Sequence, residues 1–371
     1  MGSGDQQAFL ARPDVQYVAV CDVRKKWRDE SKARVDEKYG STDCAALVDF
    51  REVLGRDDID AVHIATPDHW HSIMTIAACR AGKDIYLQKP ETLTLREGPL
   101  MIQAARRYGR VVSGGSQRVL EDYRPLVDPC WAGELGTITS IDLSVGPRSM
   151  PCYLPAVATP PKIDWDLWLG PAPWEPYNSG RCDGNFGTGG NSWRSYVDYS
   201  GGSLTDWGAH QLWGHDLRRR PAPSAAHDRD LASGIGRRHR GGLHHARVSK
   251  RRRDPLQSSR YAPTDRREGG RRPGRPRDHD PGRWYGGRPG AGACLSRHGG
   301  IYGDFIECVK TRERPFRDLE LGVNTMTAPH LVAISQRLER SLEWDRTAQR
   351  FMNDEEANRL LDRARRVRVG R

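Results

Sequence analysis

Residues 59–90 read IDAVHIATPDHWHSIMTIAACRAGKDIYLQKP, and this stretch decides the fold class. It opens with a β-branched apolar run at 59–65 and closes with a second apolar run at 84–87, each short enough for a buried strand. Between them, residues 72–81 carry a helix pattern that Gly82 stops. A strand, a helix and a strand in this order predict one βαβ unit of a parallel sheet.

The same alternation continues on both sides of this unit. Residues 17–22 read YVAVCD, a short strand that ends in an acid, and a charged stretch that can be helical follows to Tyr39. Residues 95–108 carry another helix pattern, and residues 111–114 begin a further strand. Alternation over about 115 residues predicts a doubly wound α/β sheet, whose ligands lie at the carboxyl ends of the parallel strands.

Polar side chains stand at those predicted strand ends. Asp22 closes one strand, where an acid can accept hydrogen bonds from a ribose diol; a helix N-cap or a turn acid is the alternative. Residues 66–71 follow the next strand. Lys89 follows the one after, and because a mostly apolar strand delivers it to the cleft, partial desolvation would suit it to proton transfer. A solvated lysine before proline is the alternative interpretation.

A second motif lies far along the chain, where residues 201–210 read GGSLTDWGAH. If Asp206 opens a helix, Asp206 and His210 lie four residues apart on one helix face, where a carboxylate and an imidazole can act on the same substrate carbon. A structural N-cap and a surface histidine would explain the pair equally. The spacing alone therefore leaves both interpretations open.

Composition argues against several classes of protein. No apolar run approaches the roughly 18 residues of a membrane span, and we expect no membrane partner. The eight cysteines have no C-x-x-C pair or regular spacing, which argues against a zinc ribbon, a redox dithiol or a disulfide framework. His69 and His71 lack the carboxylate or thiolate partners of a ligand set, so no metal site is predicted.

The net charge of +11 comes from one segment. Residues 216–298 hold 21 Arg and one Lys against eight acidic residues, with only seven Val, Ile, Leu, Met or Phe. The segment has no helical or strand period, and we expect it to be disordered. We interpret it as an out-of-frame reading of a GC-rich gene. A genuine insertion and an Arg-rich RNA-binding element are the alternatives, although a nucleic-acid partner is not our expectation.

Several short motifs occur in the order of a known family. They are VAVCD at 18–22, ATPDHWH at 65–71, AGKDIY at 81–86 with Lys89-Pro90, GSQR at 115–118, WLGPAP at 168–173, GGSLTDWGAH at 201–210, DFIECV at 304–309, Arg314-Pro315 and DEEAN at 354–358. By these motifs the sequence resembles the Gfo/Idh/MocA oxidoreductases, the relatives of glucose-fructose oxidoreductase and inositol 2-dehydrogenase.

The resemblance implies an NAD(P)-binding Rossmann domain at 1–116 and a C-terminal α+β open-sheet domain at 117–371. It implies a hydride passed between nicotinamide and a hydroxyl carbon of a sugar or cyclitol, and a homo-oligomer. Its catalytic residues would be Lys89, which positions substrate and cofactor, Asp206, and His210, the general acid/base on the reacting hydroxyl.

The resemblance also supplies binding residues. For the cofactor they are Gly2, Gly4, Asp22, Arg24, Thr66, Pro67, His69, Lys89 and Gln117. For the substrate they are His71, Arg118, Trp193 and Arg194. Asp22 in the family's ribose position favours NAD, while Arg24 keeps NADP open. We expect a cytoplasmic protein, with export by an upstream twin-arginine leader as the alternative.

Three departures from the family matter. Gln88 stands where the family has a glutamate before Lys-Pro. The first strand and most of the G-x-G-x-x-G turn are missing, and residues 1–5 resemble the end of that turn. We therefore expect a start assigned to an internal methionine, and poor dinucleotide binding by the chain as written. The Arg-rich segment begins just after His210, where the family builds its large sheet, so the second domain is expected to be partly disrupted.

Two other outcomes stay open beside the dehydrogenase. One is an NAD-dependent glycosidase of the same fold; that branch replaces the lysine of the Lys-Pro motif, so Lys89 favours the dehydrogenase. The other is a nonfunctional gene remnant.

Overall fold

The computed structural model describes residues 2–116, 144–184, 192–212 and 299–366. Gln117 and Arg118, two of the predicted binding residues, lie outside the described residues. So does the Arg-rich segment at 216–298, together with the expectations of disorder and of a shifted reading frame.

The first described stretch alternates helices and strands. They are α1 (Gly2–Leu10), β1 (Ala19–Cys21), α2 (Lys25–Tyr39), β2 (Ala45–Leu47), α3 (Phe50–Leu54), β3 (Ala61–Ile64), α4 (Asp68–Arg80), β4 (Asp84–Gln88), α5 (Glu97–Arg107) and β5 (Val112–Gly115). The hydrophobic pattern predicts β1, α2, β3, α4, β4, α5 and β5 in this order, whereas it does not predict α1, β2 or α3.

The strands pair in parallel. In the larger sheet β4 lies between β3 and β5, with Ile85 opposite Val62 and Val112. In the other, β1 pairs with β2, with Val20 opposite Ala46. Parallel strands joined by helices confirm the predicted α/β class. No hydrogen-bonded ladder joins β1 to β3 within the described part of the chain; the missing first strand stays a prediction.

The core of this region explains why β4 reads as an unbroken apolar run. All five residues of β4 are buried, because the strand is central and helices cover the sheet. Ile85 and Leu87 are fully buried against Cys79 of α4 and Met101 of α5. A fully buried side chain of this kind contributes about 1.5–3 kcal/mol. The apolar strand thereby fixes where Lys89, the residue directly after it, leaves the sheet.

The later stretches are mainly helical. They contain α6 (Trp165–Leu169), α7 (Ser179–Cys182), a 3-10 turn (Trp193–Ser195), α8 (Ser203–Gln211), α9 (Gly300–Thr311), α10 (Leu319–Leu338), β6 (Trp344–Asp345), β7 (Arg350–Phe351) and α11 (Glu355–Arg359). Strands β6 and β7 form an antiparallel pair. None of the described helices is long and apolar enough to cross a membrane.

Two helices begin earlier than the sequence pattern indicates. Helix α4 starts at Asp68 rather than Ser72, since Pro67 is its N-cap residue. Helix α8 starts at Ser203, so Asp206 does not open it, although Asp206 and His210 still lie four residues apart on one helix. Its N-cap is Gly202, whose φ of 83° is a glycine conformation, and a Cβ there would meet the backbone N of Ser149 at 2.3 Å. Asp206 therefore lies in the first helical turn.

Candidate active site

Lys89 and Asp206 form a buried ion pair. Lys89 follows β4 directly, and its Nζ lies 2.9 Å from Oδ1 of Asp206. The same Nζ donates a hydrogen bond to the backbone oxygen of Asp206 at 3.2 Å. The two side chains are only 5% and 11% exposed, so the pair is shielded from water. Removal of one partner of such a pair would leave an uncompensated buried charge.

Asp206 lies between two cations. Its position in the first turn of α8 suits a carboxylate, because the helix amino terminus carries positive partial charge. Beside the contact with Lys89, its Oδ1 lies 3.6 Å from Nε of Arg194. The Arg194 guanidinium stacks on the ring of Trp193 at 4.1 Å. The structure thus brings together four residues that the sequence singled out separately.

His210 lies one turn further along α8, on the same face as Asp206. It is 4% exposed, and its Nδ1 lies 2.6 Å from Oγ of Ser116. Ser116 directly follows β5, the strand beside β4, and sequence reasoning gave it no role. When Nδ1–H donates to this hydroxyl, Nε2 keeps a lone pair that can accept a proton.

Asp68 is the second carboxyl group of this region, and sequence reasoning missed it as a site residue. It is 2% exposed, and its Oδ2 has no hydrogen-bond partner among the described residues. Burial, together with the negative charge of Asp206, raises the pKa of Asp68 to about 7. Its sequence signal is weak, because an aspartate in the first turn of a helix after a strand is common.

The two histidines of the ATPDHWH motif are buried in contacts within the protein. His69 Nε2 lies 3.0 Å from the backbone oxygen of Trp168, and burial lowers the pKa of His69 to about 4. His71 lies between two backbone oxygens, with Nδ1 2.8 Å from that of Pro90 and Nε2 2.9 Å from that of Thr66. His71 therefore links the ends of β3 and β4. The contacts of both rings with cofactor and substrate stay predictions.

The carboxyl ends of β1 and β3 carry residues that the sequence assigns to the dinucleotide. Gly2, in α1, approaches the end of β3 so closely that a Cβ would lie 3.1 Å from Cβ of Ala65. The Oγ1 of Thr66 is buried and has no partner among the described residues, so it is a polar atom that a bound group can satisfy. Asp22 stands at the end of β1. Gly4, by contrast, has open space around it.

Asp22 and Arg24 each contact groups of the protein itself. Oδ1 of Asp22 accepts a hydrogen bond from the backbone N of Arg24 at 2.8 Å, and burial raises the pKa of Asp22. Nη1 of Arg24 lies 2.5 Å from Oδ1 of Asp183, near the end of α7. The guanidinium of Arg24 is therefore paired with a carboxylate outside the β1 strand end.

A buried polar cluster explains the glutamine before Lys89. The Asp5 carboxylate accepts hydrogen bonds from Nε2 of Gln88 and from the hydroxyl of Tyr302 at 2.7 Å, and lies 3.1 Å from Nε2 of His63. Burial opposes ionisation of Asp5, but these hydrogen bonds and the His63 charge outweigh it and lower its pKa. A glutamate at position 88 would place a second carboxylate against Asp5.

A cavity elsewhere in the molecule is separate from the site around Lys89. It has a volume of about 350 Å³, lies between α5 and α10 and is lined among others by Thr92, Thr94, Gln103, Asn324 and His330. None of the residues around Lys89 lines it. The described residues contain no group of three or more His, Cys, Asp or Glu side chains that could hold a metal ion.

Comparison with known families matches both parts of the chain. A model described as "Oxidoreductase family, NAD-binding Rossmann fold" matches residues 1–116. One described as "Oxidoreductase family, C-terminal alpha/beta domain" matches residues 149–215 and 297–370. The chain belongs to the Gfo/Idh/MocA oxidoreductase family. Its first region is an NAD(P)-binding Rossmann domain, which confirms the predicted fold and cofactor class.

Individual relatives match shorter stretches. The chain is 32% identical over 146 residues to dTDP-3,4-didehydro-2,6-dideoxy-alpha-D-glucose 3-reductase of Streptomyces violaceoruber, which is 38% of this chain and 40% of that protein. It is 35% identical over 96 residues to a glycosyl hydrolase family 109 protein of Saccharopolyspora erythraea, which is 24% of this chain and 20% of that one. The chain thus spans less than half the length of these curated relatives.

Solved structures resemble the chain more distantly. The oxidoreductase domain protein of Kribbella flavida is 22% identical, with a TM-score of 0.38 over 58% of this chain and 50% of that one. This likeness is too low to carry an argument about function.

Proposed function

We propose that the protein is an NAD(P)-dependent oxidoreductase that transfers a hydride between nicotinamide and a hydroxyl carbon of a sugar or cyclitol. The observation that carries this proposal is the buried Lys89–Asp206 pair, at the carboxyl end of a central strand of an NAD(P)-binding Rossmann domain. His210 lies one turn beyond Asp206 on α8. A cation, a carboxylate and an imidazole thereby meet where such folds bind ligands.

Each of these side chains has a defined task in the proposed reaction. Bound nicotinamide would supply the hydride acceptor or donor. Asp206 holds the Lys89 ammonium at the end of β4, where the ammonium donates a hydrogen bond to the reacting oxygen. Ser116 orients His210, whose Nε2 takes the hydroxyl proton during oxidation and returns it during reduction. Arg194 and Trp193 support Asp206 from the substrate side.

For the cofactor we propose the residues at the ends of β1 and β3. They are Gly2, Gly4, Asp22, Thr66 and Pro67, with Lys89 beside them and Gln117 beyond the described residues. Two observations support this assignment: the buried hydroxyl of Thr66 has no partner within the described part of the chain, and Gly2 closely approaches the end of β3.

The preference between the two dinucleotides follows from two charges. The Asp22 carboxylate can accept hydrogen bonds from a ribose diol but repels a 2′-phosphate. Arg24, the cation nearest in sequence, is paired with Asp183 at 2.5 Å and is not free for a phosphate. We therefore propose NAD as the preferred cofactor.

The substrate class rests on chemistry and on relatives. The S. violaceoruber reductase and the 1,5-anhydro-D-fructose reductase of Ensifer adhaerens, 33% identical over 92 residues, act on sugars by name. A glycosidase is favoured only by the names of the glycosyl hydrolase family 109 relatives. We keep Arg194, Trp193, His71 and Arg118 as proposed substrate residues, and a homo-oligomer as the proposed assembly.

The test is an assay of the purified full chain with NAD+ or NADP+ and a panel of sugars and cyclitols, read as formation of reduced nicotinamide. At dinucleotide concentrations high enough to offset the weak binding expected from the sequence, the proposal predicts turnover of at least one substrate. This turnover should be lost in Lys89→Ala and retained in Lys162→Ala, which removes an exposed lysine as a matched control. Cleavage of a glycoside without net nicotinamide reduction would favour the glycosidase. A folded chain that binds neither dinucleotide would overturn the proposal.

A further inference from the structure

Asp68 lies within electrostatic range of Asp206 and Lys89, and the proposed reaction gives it no task. It is the first residue of α4, directly after the Thr66-Pro67 end of β3. The side chain is almost wholly buried, at 2% exposure. The hydroxyl of Ser200 is hydrogen-bonded to it, while Oδ2 has no partner among the described residues.

The cations that face Asp68 are committed elsewhere. Lys89, at the end of β4, lies 2.9 Å from Asp206, and Arg194, in the 3-10 turn, lies 3.6 Å from the same carboxylate oxygen. Arg363, in the C-terminal segment, interacts electrostatically with Glu97 and Asp198 and, more weakly, with Asp68. No ion pair among the described residues includes Asp68.

A carboxylate at this position would therefore be buried, close to a second carboxylate and without an ion-pair partner among the described residues. Both features penalise the charged form, since desolvation and a neighbouring like charge each favour the neutral acid. They raise the pKa of Asp68 to about 7, whereas Ser200, Arg194 and Lys89 act in the opposite direction. Asp68 is thus protonated below neutral pH and can still lose its proton above it.

We propose that Asp68 is a positioning residue of this site, a carboxylic acid whose proton keeps Asp206 the sole carboxylate facing Lys89 and Arg194. Loss of that proton to solvent creates a second carboxylate, which competes with Asp206 for both cations. The Lys89 ammonium is then drawn away from the place where it meets the reacting oxygen. The consequence for catalysis rests on the proposed function; the protonation state itself does not.

The protonation state can be read without cofactor or substrate. Difference infrared spectroscopy of the full chain, titrated from acid to alkaline pH, reports the C=O band of a protonated carboxyl group. We expect a band that is lost around neutrality in the wild type and is missing in Asp68→Asn. Glu97→Gln removes another buried carboxyl group, whose partners are Ser72 and Arg365, and should leave the Asp68 band in place.

A second variant, Ser200→Ala, tests the proposal even if Asp68→Asn does not fold. The hydroxyl of Ser200 favours the ionised form of Asp68. Ser200→Ala should therefore move the loss of the band to higher pH. Identical titrations of the wild type and Asp68→Asn, or a Ser200→Ala titration that does not move, would overturn the proposal.

Activity supplies the functional readout. In the wild type, kcat/KM should fall about tenfold per pH unit once Asp68 is ionised, because the neutral fraction falls by that factor. This alkaline limb should be missing in Asp68→Asn. If the band titrates but the protein has no dehydrogenase activity, the protonation of Asp68 is supported and only the proposed function is refuted. Activity with the same alkaline limb in both proteins would refute the role of Asp68 alone.

Discussion

Nζ of Lys89 lies 2.9 Å from Oδ1 of Asp206, although 117 positions of sequence separate the two residues. This contact joins the carboxyl end of β4 to the first turn of α8. It therefore connects the Rossmann domain to the part of the chain that matches the family's C-terminal domain. The ion pair thereby links the two parts of the chain, and we propose that it also orients the substrate.

The contribution of the Lys89–Asp206 pair to the free energy of unfolding can be measured. Because both groups are shielded from water, Lys89→Ala or Asp206→Ala should lower the free energy of unfolding by about 3–5 kcal/mol. The double variant Lys89→Ala/Asp206→Ala should lose less than the sum of the two single variants, since no lone charge remains. Denaturant unfolding gives these values, with Lys162→Ala as the exposed control. Additive losses would show that the two groups do not interact.

A neutral side chain at position 88 should be required for stability, because Gln88 donates a hydrogen bond to the buried Asp5 carboxylate. Gln88→Glu places two carboxylates in contact, so the pKa of one of them must rise in the folded state. The variant then loses stability as pH rises above the unfolded pKa near 4, by about 1.4 kcal/mol for each pH unit that separates the folded and unfolded pKa values. Unfolding at acid and neutral pH measures this slope. Gln7→Glu, an exposed change on the helix that carries Asp5, should show no such slope.

His69 should make the fold sensitive to acid. Burial lowers the pKa of His69 from 6.5 to about 4, so its contribution is complete above 6.5 and is lost as pH falls through that interval. This difference in pKa corresponds to about 3 kcal/mol. His69→Phe should flatten the dependence of unfolding free energy on pH between these values, even if its stability at neutral pH is lower. An unchanged slope would mean that His69 titrates normally.

The cofactor preference should depend on Asp22 and on the pairing of Arg24. Asp22→Ala removes the ribose acceptor and the charge that repels a 2′-phosphate, so the ratio of NADP to NAD affinity should rise about tenfold. Asp183→Asn frees Arg24 and should raise the same ratio. Dissociation constants from calorimetry test both, with the exposed Asp43→Ala as control. A ratio that stays constant in both variants would contradict the assignment.

The local sequence pattern predicted four strands and three helices of the first domain, but not α1, β2 or α3. The apolar run before Lys89 and the helix pattern before Gly82 predict a βαβ unit because strand and helix periods are properties of a few neighbouring residues. The pattern missed the start of α8, because Gly202 begins that helix through a backbone conformation that no hydrophobic period encodes.

The site was predictable residue by residue, but its contacts were not. Lys89 and His210 stood out as chemically able side chains at expected ends of elements. Their partners Asp206 and Ser116 lie 117 and 94 positions away along the chain, so the pairings depend on the tertiary fold. The role of Asp68 depends on burial and on a neighbouring carboxylate, and neither can be read from its own segment.

Hydride transfer at Lys89, Asp206 and His210 can be measured as the rate of nicotinamide reduction by the full chain with saturating NAD+ and the sugar and cyclitol panel, compared with His210→Asn. We expect a measurable rate that falls about 100-fold or more in the variant, as for loss of a general base. A variant as active as the wild type, or a chain that binds NAD+ and oxidises nothing, would contradict it.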